Sequence, residues 1–161
     1  MKVYTLIRKQ KLPITLSQAW DFFASPANLA RITPPYMQFR IEHISDSSQM
    51  YAGQIITYKL FILPRVPVRW TTEITHVQEN QYFVDEQRSG PYAMWHHQHR
   101  FEEVADGVEM TDEVNYAIPL GILGRLAHRF FVHRQLNAIF DFRYKTLEKI
   151  FETKTLIRKS A

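Results

Sequence analysis

The sequence predicts an α+β fold, a strongly curved antiparallel β-sheet wrapped around one long C-terminal α-helix, with two short helices after the first strand. Three observations lead there. Six segments between residues 37 and 118 carry β patterning and follow one another across short turns, which favours antiparallel pairing. After Pro119 the apolar spacing switches to intervals of three and four residues. Two helix-start signals stand between the first strand and this meander.

Residues 3–12 mix apolar and basic side chains and read as an edge-type strand. Ser17 is placed to cap a short helix through Gln18-Ala19-Trp20-Asp21-Phe22-Phe23. Ser25-Pro26 starts a second, with Ser25 as cap and Pro26 in the first turn. Pro34-Pro35 ends it, because the residue before a proline is pushed out of helical space. Strands are expected at 37–44, 54–62, 68–78, 81–88, 93–104 and 108–118. Ser45 to Gln49, Pro64 to Pro67, Glu79-Asn80, Gly90-Pro91 and Asp106-Gly107 punctuate them as turns. From about 122 to 152, Leu126, Phe130, Leu136, Phe140, Tyr144, Leu147 and Phe151 form an apolar stripe. Arg125, Arg129, Arg134, Arg143, Lys145 and Lys149 are assigned to the remaining surface. Such a helix is about 45 Å long at 1.5 Å per residue.

Composition narrows the function classes. A chain of 161 residues, 45% hydrophobic and 22% charged, is expected to form one domain over 1–161. It has no cysteine, which excludes disulfides, thiol nucleophiles, iron–sulfur clusters and cysteine-ligated zinc, and fits a reducing compartment. Its 5 glycines form neither a P-loop nor a dinucleotide fingerprint. No apolar run approaches the ~20 residues of a membrane span, and charge interrupts Met1 to Arg8 too early for a signal peptide. The expected address is the cytoplasm. The net charge of +4 is concentrated at the ends, in Lys2, Arg8, Lys9 and Lys11 and in Lys154, Arg158 and Lys159. Residues 12–153 keep 13 basic side chains against 16 acids, so no nucleic-acid face is expected.

A curved sheet and a straight helix cannot touch along their whole length, and the void between them is a natural small-molecule site. If Asp106-Gly107 is a two-residue type I′ turn, Ala105 pairs with Val108 and pairing runs outward. Phe101 is then opposite Asp112, His99 opposite Val114, His97 opposite Tyr116 and Trp95 opposite Ile118. Alternation puts Trp95, His97, His99, Phe101, Asp112, Val114 and Tyr116 on one face. His96, Gln98, Arg100, Glu109, Thr111, Glu113 and Asn115 form the wet face, so the aromatic face points inward. In this register His99 and Asp112 are diagonal neighbours, within reach of an imidazole–carboxylate bond. Phe83, Asp85 and Gln87 extend the inward face on the preceding strand, and Trp70 alternates with Thr72 and Ile74 as a mixed wall. Tyr58, with apolar residues on both faces of its segment, stays ambiguous between wall and core.

Two sharper readings rest on the same residues. His97 and His99, at i and i+2 on one strand, can hold a divalent ion, and Gly90…His97-x-His99-x-x-x-Glu103 echoes a cupin half-site. A cupin requires another histidine after Pro119-x-Gly121, where this chain has a helix carrying His128 and His133, so no metal is expected. Arg125, Arg129 and His133 beside Leu126 and Phe130 could make the helix a membrane-surface element. A core helix with a solvated outer side explains the same pattern.

The series Gln87-Arg88-Ser89-Gly90-Pro91-Tyr92, Trp95, His97, His99, Phe101, Asp112-Glu113-Val114-Asn115-Tyr116 and Pro119-Leu120-Gly121 resembles the START-like SRPBCC superfamily, in particular its small polyketide cyclase/dehydrase-like members. Ser25-Pro26-Ala27-Asn28-Leu29, Thr33-Pro34 and Phe140-Asp141-Phe142-Arg143 match as well, and the likeness spans essentially the whole chain. The resemblance implies a helix-grip fold with a largely apolar cavity between sheet and C-terminal helix. Members bind lipids, sterols, polyketides or plant hormones, and a minority cyclise or dehydrate polyketides. The family has no shared catalytic set, so the resemblance implies binding before reaction.

The leading expectation is binding or transport of a small hydrophobic ligand, without a cofactor and without stable membrane insertion; transient contact with a bilayer stays open. The competing one is a cyclase/dehydratase with His99 and Asp112 as acid and base. Candidate ligand-binding residues are Trp70, Asp85, Gln87, Trp95, His97, His99, Phe101, Asp112, Val114, Tyr116, Phe130 and Phe140.

Overall fold

Val3–Leu12 forms strand β1, whose even-numbered side chains turn inward, with Leu6, Gln10 and Leu12 buried. The chain then enters helix α1 (Leu16–Phe23). Its cap is Thr15, upstream of the expected Ser17. The Thr15 hydroxyl accepts from the Gln18 amide at 3.3 Å and the Gln18 side chain accepts from the Thr15 amide at 3.1 Å. This reciprocal pair is a capping box, already spelled by Thr15-x-x-Gln18. Pro26–Leu29 is the short helix α2, with Pro26 in its first turn as expected, although Ser25 makes no side-chain capping bond. Single 3₁₀ turns at Ala30–Ile32 and Pro35–Met37 delay the next strand, so the segment expected at 37–44 begins at residue 40.

The computed structural model describes residues 1–46, 49–63 and 66–159. Residues 47–48 and 64–65, inside two expected turns, lie outside the described residues, as do the side chains of Lys154, Arg158 and Lys159. Strands β2 (Arg40–Ile44), β3 (Ile55–Leu63), β4 (Val66–Gln78), β5 (Tyr82–Ser89), β6 (Met94–Val104) and β7 (Gly107–Ala117) follow. With β1 they make a seven-stranded antiparallel sheet in the order β1-β7-β6-β5-β4-β3-β2. The helical segment 16–37 therefore carries the chain from one sheet edge to the other. Register shifts interrupt β2–β3, β3–β4 and β4–β5. Such bulges bend a strand and add twist, which curls the sheet.

The β6–β7 turn corrects the expected register. Ala105 and Asp106 form the turn, Val104 pairs with Gly107, and the ladder runs through Phe101↔Met110, His99↔Asp112, His97↔Val114 and Trp95↔Tyr116. Gly107 is the first residue of β7, at φ +141°, and a side chain there would overlap the Leu12 carbonyl at the end of β1. The glycine serves the approach of a third strand, not a mirror-image turn. The slip is two residues, so every side chain keeps its expected face.

A continuous helical run closes the fold: α3 (Gly121–Ala127), a π turn at His128–Val132, and α4 (His133–Lys159). Leu136, Phe140, Arg143, Leu147 and Phe151 are its buried line. Tyr144, Leu126 and Phe130, expected on that line, are 41%, 50% and 66% exposed. Upstream, the buried or half-buried line passes through Gly124, His128 and Val132, which leaves Leu126 and Phe130 on the outer side. Gly124 is needed there, because a side chain would overlap the Pro119 carbonyl. At the α1 end, Trp20 meets Phe83 and Phe101 edge-on and Phe22 meets Phe151, plugging the sheet with aromatic rings.

Candidate functional site

Between sheet and helix lies a cavity of about 170 Å³. Ile56, Tyr58, Leu60, Trp70 and Ile74 of β3 and β4 form one wall, and Leu136, Ile139, Phe140 and Arg143 of α4 another. Phe22, Phe23, Leu29, Ile32 and Met37 close the end under the short helices. Tyr92, Trp95, His97 and His99, with Asp85 from β5, complete it. Most of this lining is apolar, and the ionisable groups gather on β5, β6 and Arg143.

Register explains why they meet. Asp85 pairs with His97 across β5–β6, and His99 pairs with Asp112 across β6–β7. Asp85 Oδ2 lies 3.3 Å from His97 Nδ1 and 3.3 Å from His99 Nε2. Asp112 Oδ1 takes the other side of both rings, 3.2 Å from His97 Nε2 and 2.7 Å from His99 Nδ1. Only the contact between His97 Nε2 and Asp112 has the alignment of a hydrogen bond; His99 Nδ1, although close to the carboxylate, is off its line. The rings are 3.8 Å apart, so two carboxylates bracket a stacked imidazole pair. Arg143 Nη1 approaches Asp112 Oδ2 at 3.8 Å from the helix side.

Burial alone would lower the pKa of His97, but Asp85 and Asp112 outweigh it and push it up to about 9. Burial would raise both carboxylates, yet the imidazoles hold Asp85 below the usual carboxylate range and Asp112 well below it. Burial raises the Tyr58 and Tyr92 hydroxyls, with Asp85 and Tyr116 respectively adding to it, so both phenols are neutral donors.

Of the residues expected from sequence, Trp70, Asp85, Trp95, His97, His99 and Phe140 line the cavity. Asp112 is fully buried behind the two histidines. Phe101 belongs to the aromatic plug, packed on Trp20, Phe23 and Phe83. Val114 is core between Leu6, Leu136 and Phe140. Tyr116 does not face His97: its hydroxyl is 2.9 Å from His128 Nε2, on the far side of Trp95. Gln87 clamps the β5–β6 connection instead of lining the void, donating to the Tyr92 carbonyl at 2.7 Å and accepting from its amide at 3.2 Å. Phe130 points outward.

Sequence reasoning missed the β3 wall, Tyr92 and Arg143. Arg143 was assigned to the solvated surface and is 9% exposed. Its signal was the spacing 136, 140, 143, 147, which puts residue 143 on the buried line whatever its charge.

No protein-family model matches the chain, and no curated protein matches it. Among solved structures, TTHA0849 from Thermus thermophilus superposes with TM-score 0.68 at 16% identity, covering 94% of this chain and 99% of that one. The di-domain ARO/CYC StfQ of the steffimycin biosynthetic pathway gives TM-score 0.71 at 12% identity, covering 95% of this chain and 52% of that one. Major latex-like protein 151 from Panax ginseng gives 0.68 at 12%, with 92% and 97% covered. At these identities the likeness is one of fold. The chain has the helix-grip fold that its resemblance to the START-like SRPBCC superfamily implied.

Proposed function

We propose that residues 1–161 form one ligand-binding domain that holds a small, mostly apolar molecule between the sheet and α4. The observation that carries this reading is the cavity itself, a mostly apolar void of about 170 Å³ with Asp85, His97, His99 and Arg143 among its lining residues. A dry apolar cavity of about 150 Å³ takes a benzene-sized guest, so a void of this size suits on the order of one or two rings. Affinity comes from burying apolar surface at about 25 cal/mol per Å². Orientation comes from donors: Trp70 Nε1 and Arg143 Nε are buried without a hydrogen-bond partner, which favours a ligand with an acceptor oxygen.

Native mass spectrometry of the purified chain and titration with 2-naphthol, read through Trp70 and Trp95 fluorescence, test the proposal. Saturable one-to-one binding that is lost in Ile139→Trp, which fills the void, supports it. No binding by 2-naphthol or any other apolar probe, with no adduct, removes it.

A second reading is proton transfer on a bound carbonyl compound, as in cyclisation or dehydration. It is favoured by the two imidazoles that face the void with carboxylates behind and beside them. His99 would exchange the proton and Asp112 would orient it. Loss of turnover of a reactive poly-β-ketone in His99→Asn and Asp112→Asn, with 2-naphthol binding retained, would favour this enzyme; loss of both together would favour a structural role.

The outer face of α3 bears on delivery. No acid occurs from Val114 to Phe140, while Arg125, Arg129 and Arg134 do. Leu120, Ile122, Leu123, Leu126 and Phe130 are each at least half exposed beside them. No helix among the described residues is long and apolar enough to cross a membrane. The reading is peripheral contact with an anionic bilayer from which the ligand is taken. Co-sedimentation with vesicles containing phosphatidylserine, weakened by salt and by Leu123→Glu, is the expected result. Equal binding to neutral vesicles, or none, discards it.

A further inference from the structure

We propose that Asp85, His97 and His99 form a binding site for one divalent first-row transition-metal ion, with an open coordination position facing the cavity. The three donor atoms, Asp85 Oδ2, His97 Nδ1 and His99 Nε2, lie within 4.8 Å of one another. Both edges from the carboxylate measure 3.3 Å. Two donors held about 2.0–2.1 Å from a common ion are about 3.0 Å apart at a right angle and about 3.4 Å apart at the tetrahedral angle. The carboxylate edges thus match the length a shared ion imposes, while the third edge, between His97 Nδ1 and His99 Nε2, is bounded only at 4.8 Å and would be about 3.4 Å around a tetrahedral ion.

The outer side of the cluster supplies a second, independent observation. A ligating imidazole presents one nitrogen to the metal and its other N–H to an acceptor, commonly a carboxylate. Here Asp112, fully buried, stands against the far nitrogen of both rings, His97 Nε2 at 3.2 Å and His99 Nδ1 at 2.7 Å. Through the aligned His97 bond it sets the tautomer that leaves His97 Nδ1 toward Asp85; beside His99 it stands close but off the line of a hydrogen bond. All three proposed ligands line the cavity whereas Asp112 does not, so the coordination positions they leave free open onto the void.

Two imidazoles and one carboxylate with an open position suit zinc, iron(II) or cobalt(II) better than calcium or magnesium, which prefer oxygen donors. His97-x-His99 on one strand does not reveal this set, because the third ligand comes from the neighbouring strand, at the position paired with His97.

The test uses the full chain, stripped by dialysis against a chelator and titrated with Co²⁺ by visible absorption and with Zn²⁺ by calorimetry. The expected result is one equivalent bound with micromolar or tighter affinity and ligand-field bands of a four- or five-coordinate site. His97→Gln and His99→Gln are each expected to weaken binding by at least about 100-fold, and Asp112→Asn by about 10–100-fold, whereas His128→Gln and His133→Gln leave it unchanged. Absence of stoichiometric binding by the unmodified chain overturns the site, as does binding that survives His97→Gln or moves with His128 and His133. If the His97 and His99 variants do not fold, X-ray absorption on the zinc-loaded unmodified chain decides: two imidazole ligands are expected, and an all-oxygen shell overturns the site. Uptake is measured with no apolar ligand present, so its failure leaves the cavity reading standing, and failure of the cavity to bind 2-naphthol leaves the ion site standing.

Discussion

His99 and Asp112 face each other directly across the β6–β7 ladder, with Nδ1 of one 2.7 Å from Oδ1 of the other, and Asp112 is 1% exposed. A carboxylate this deep is tolerable only because two imidazoles and Arg143 surround it.

Asp112→Ala should therefore destabilise the fold by roughly 3–5 kcal/mol, since it strands buried positive partners as well as removing contacts. Urea unfolding checks this. A loss below about 1 kcal/mol would mean that the cluster is hydrated and only loosely coupled.

The metal-free protein should lose stability on the alkaline side. His97 is raised from its ordinary value of 6.5 to about 9, so its contribution is complete below pH 6.5 and disappears as pH climbs through 9. Asp85 and Asp112 are lowered, so their contribution is complete above the ordinary carboxylate pKa of about 4 and disappears on acidification. Denaturant midpoints measured from pH 3 to 10 should trace a plateau between about 4 and 6.5, and His97→Gln should flatten the alkaline limb.

Gly124→Ala should invert a familiar rule. Alanine for glycine inside a helix ordinarily stabilises by about 1 kcal/mol. Here the added methyl would overlap the Pro119 carbonyl oxygen, so thermal unfolding should shift downward by several degrees. A rise in Tm would show that the Pro119 loop yields freely.

Thr15→Ala removes the hydroxyl half of the capping box and should cost about 1 kcal/mol, whereas Ser17→Ala should be close to neutral. Paired denaturation curves separate the two assignments of the cap.

What the sequence made legible followed from periodicity. Inward placement of His97, His99 and Asp112 survived a mistaken turn because the slip was two residues, the period of the strand itself. Their true opposition did not survive it, since an Asp-Gly pair suggests a turn type but says nothing of a Leu12 carbonyl arriving from a strand remote in sequence. Arg143 was hidden by its charge, although its spacing was that of a core residue. Phe130 was hidden for the opposite reason: α3 and the π turn are apolar on more than one side, and composition cannot choose which side meets the sheet. Gln87 alternates correctly with Asp85, yet the chain turns away after Ser89 and its amide is consumed by Tyr92.

The neighbourhood of β1 and β7 has an outcome for how the molecule comes into being. β1 precedes the other six strands in the chain and finds its hydrogen-bonding mate in β7, the one made last among them. Closure over such a separation must await synthesis of β7, and pairings this distant slow folding. Until then the nascent β1 edge is a site where another chain could intrude, and its lysines and arginine at positions 8, 9 and 11 act as guards against that.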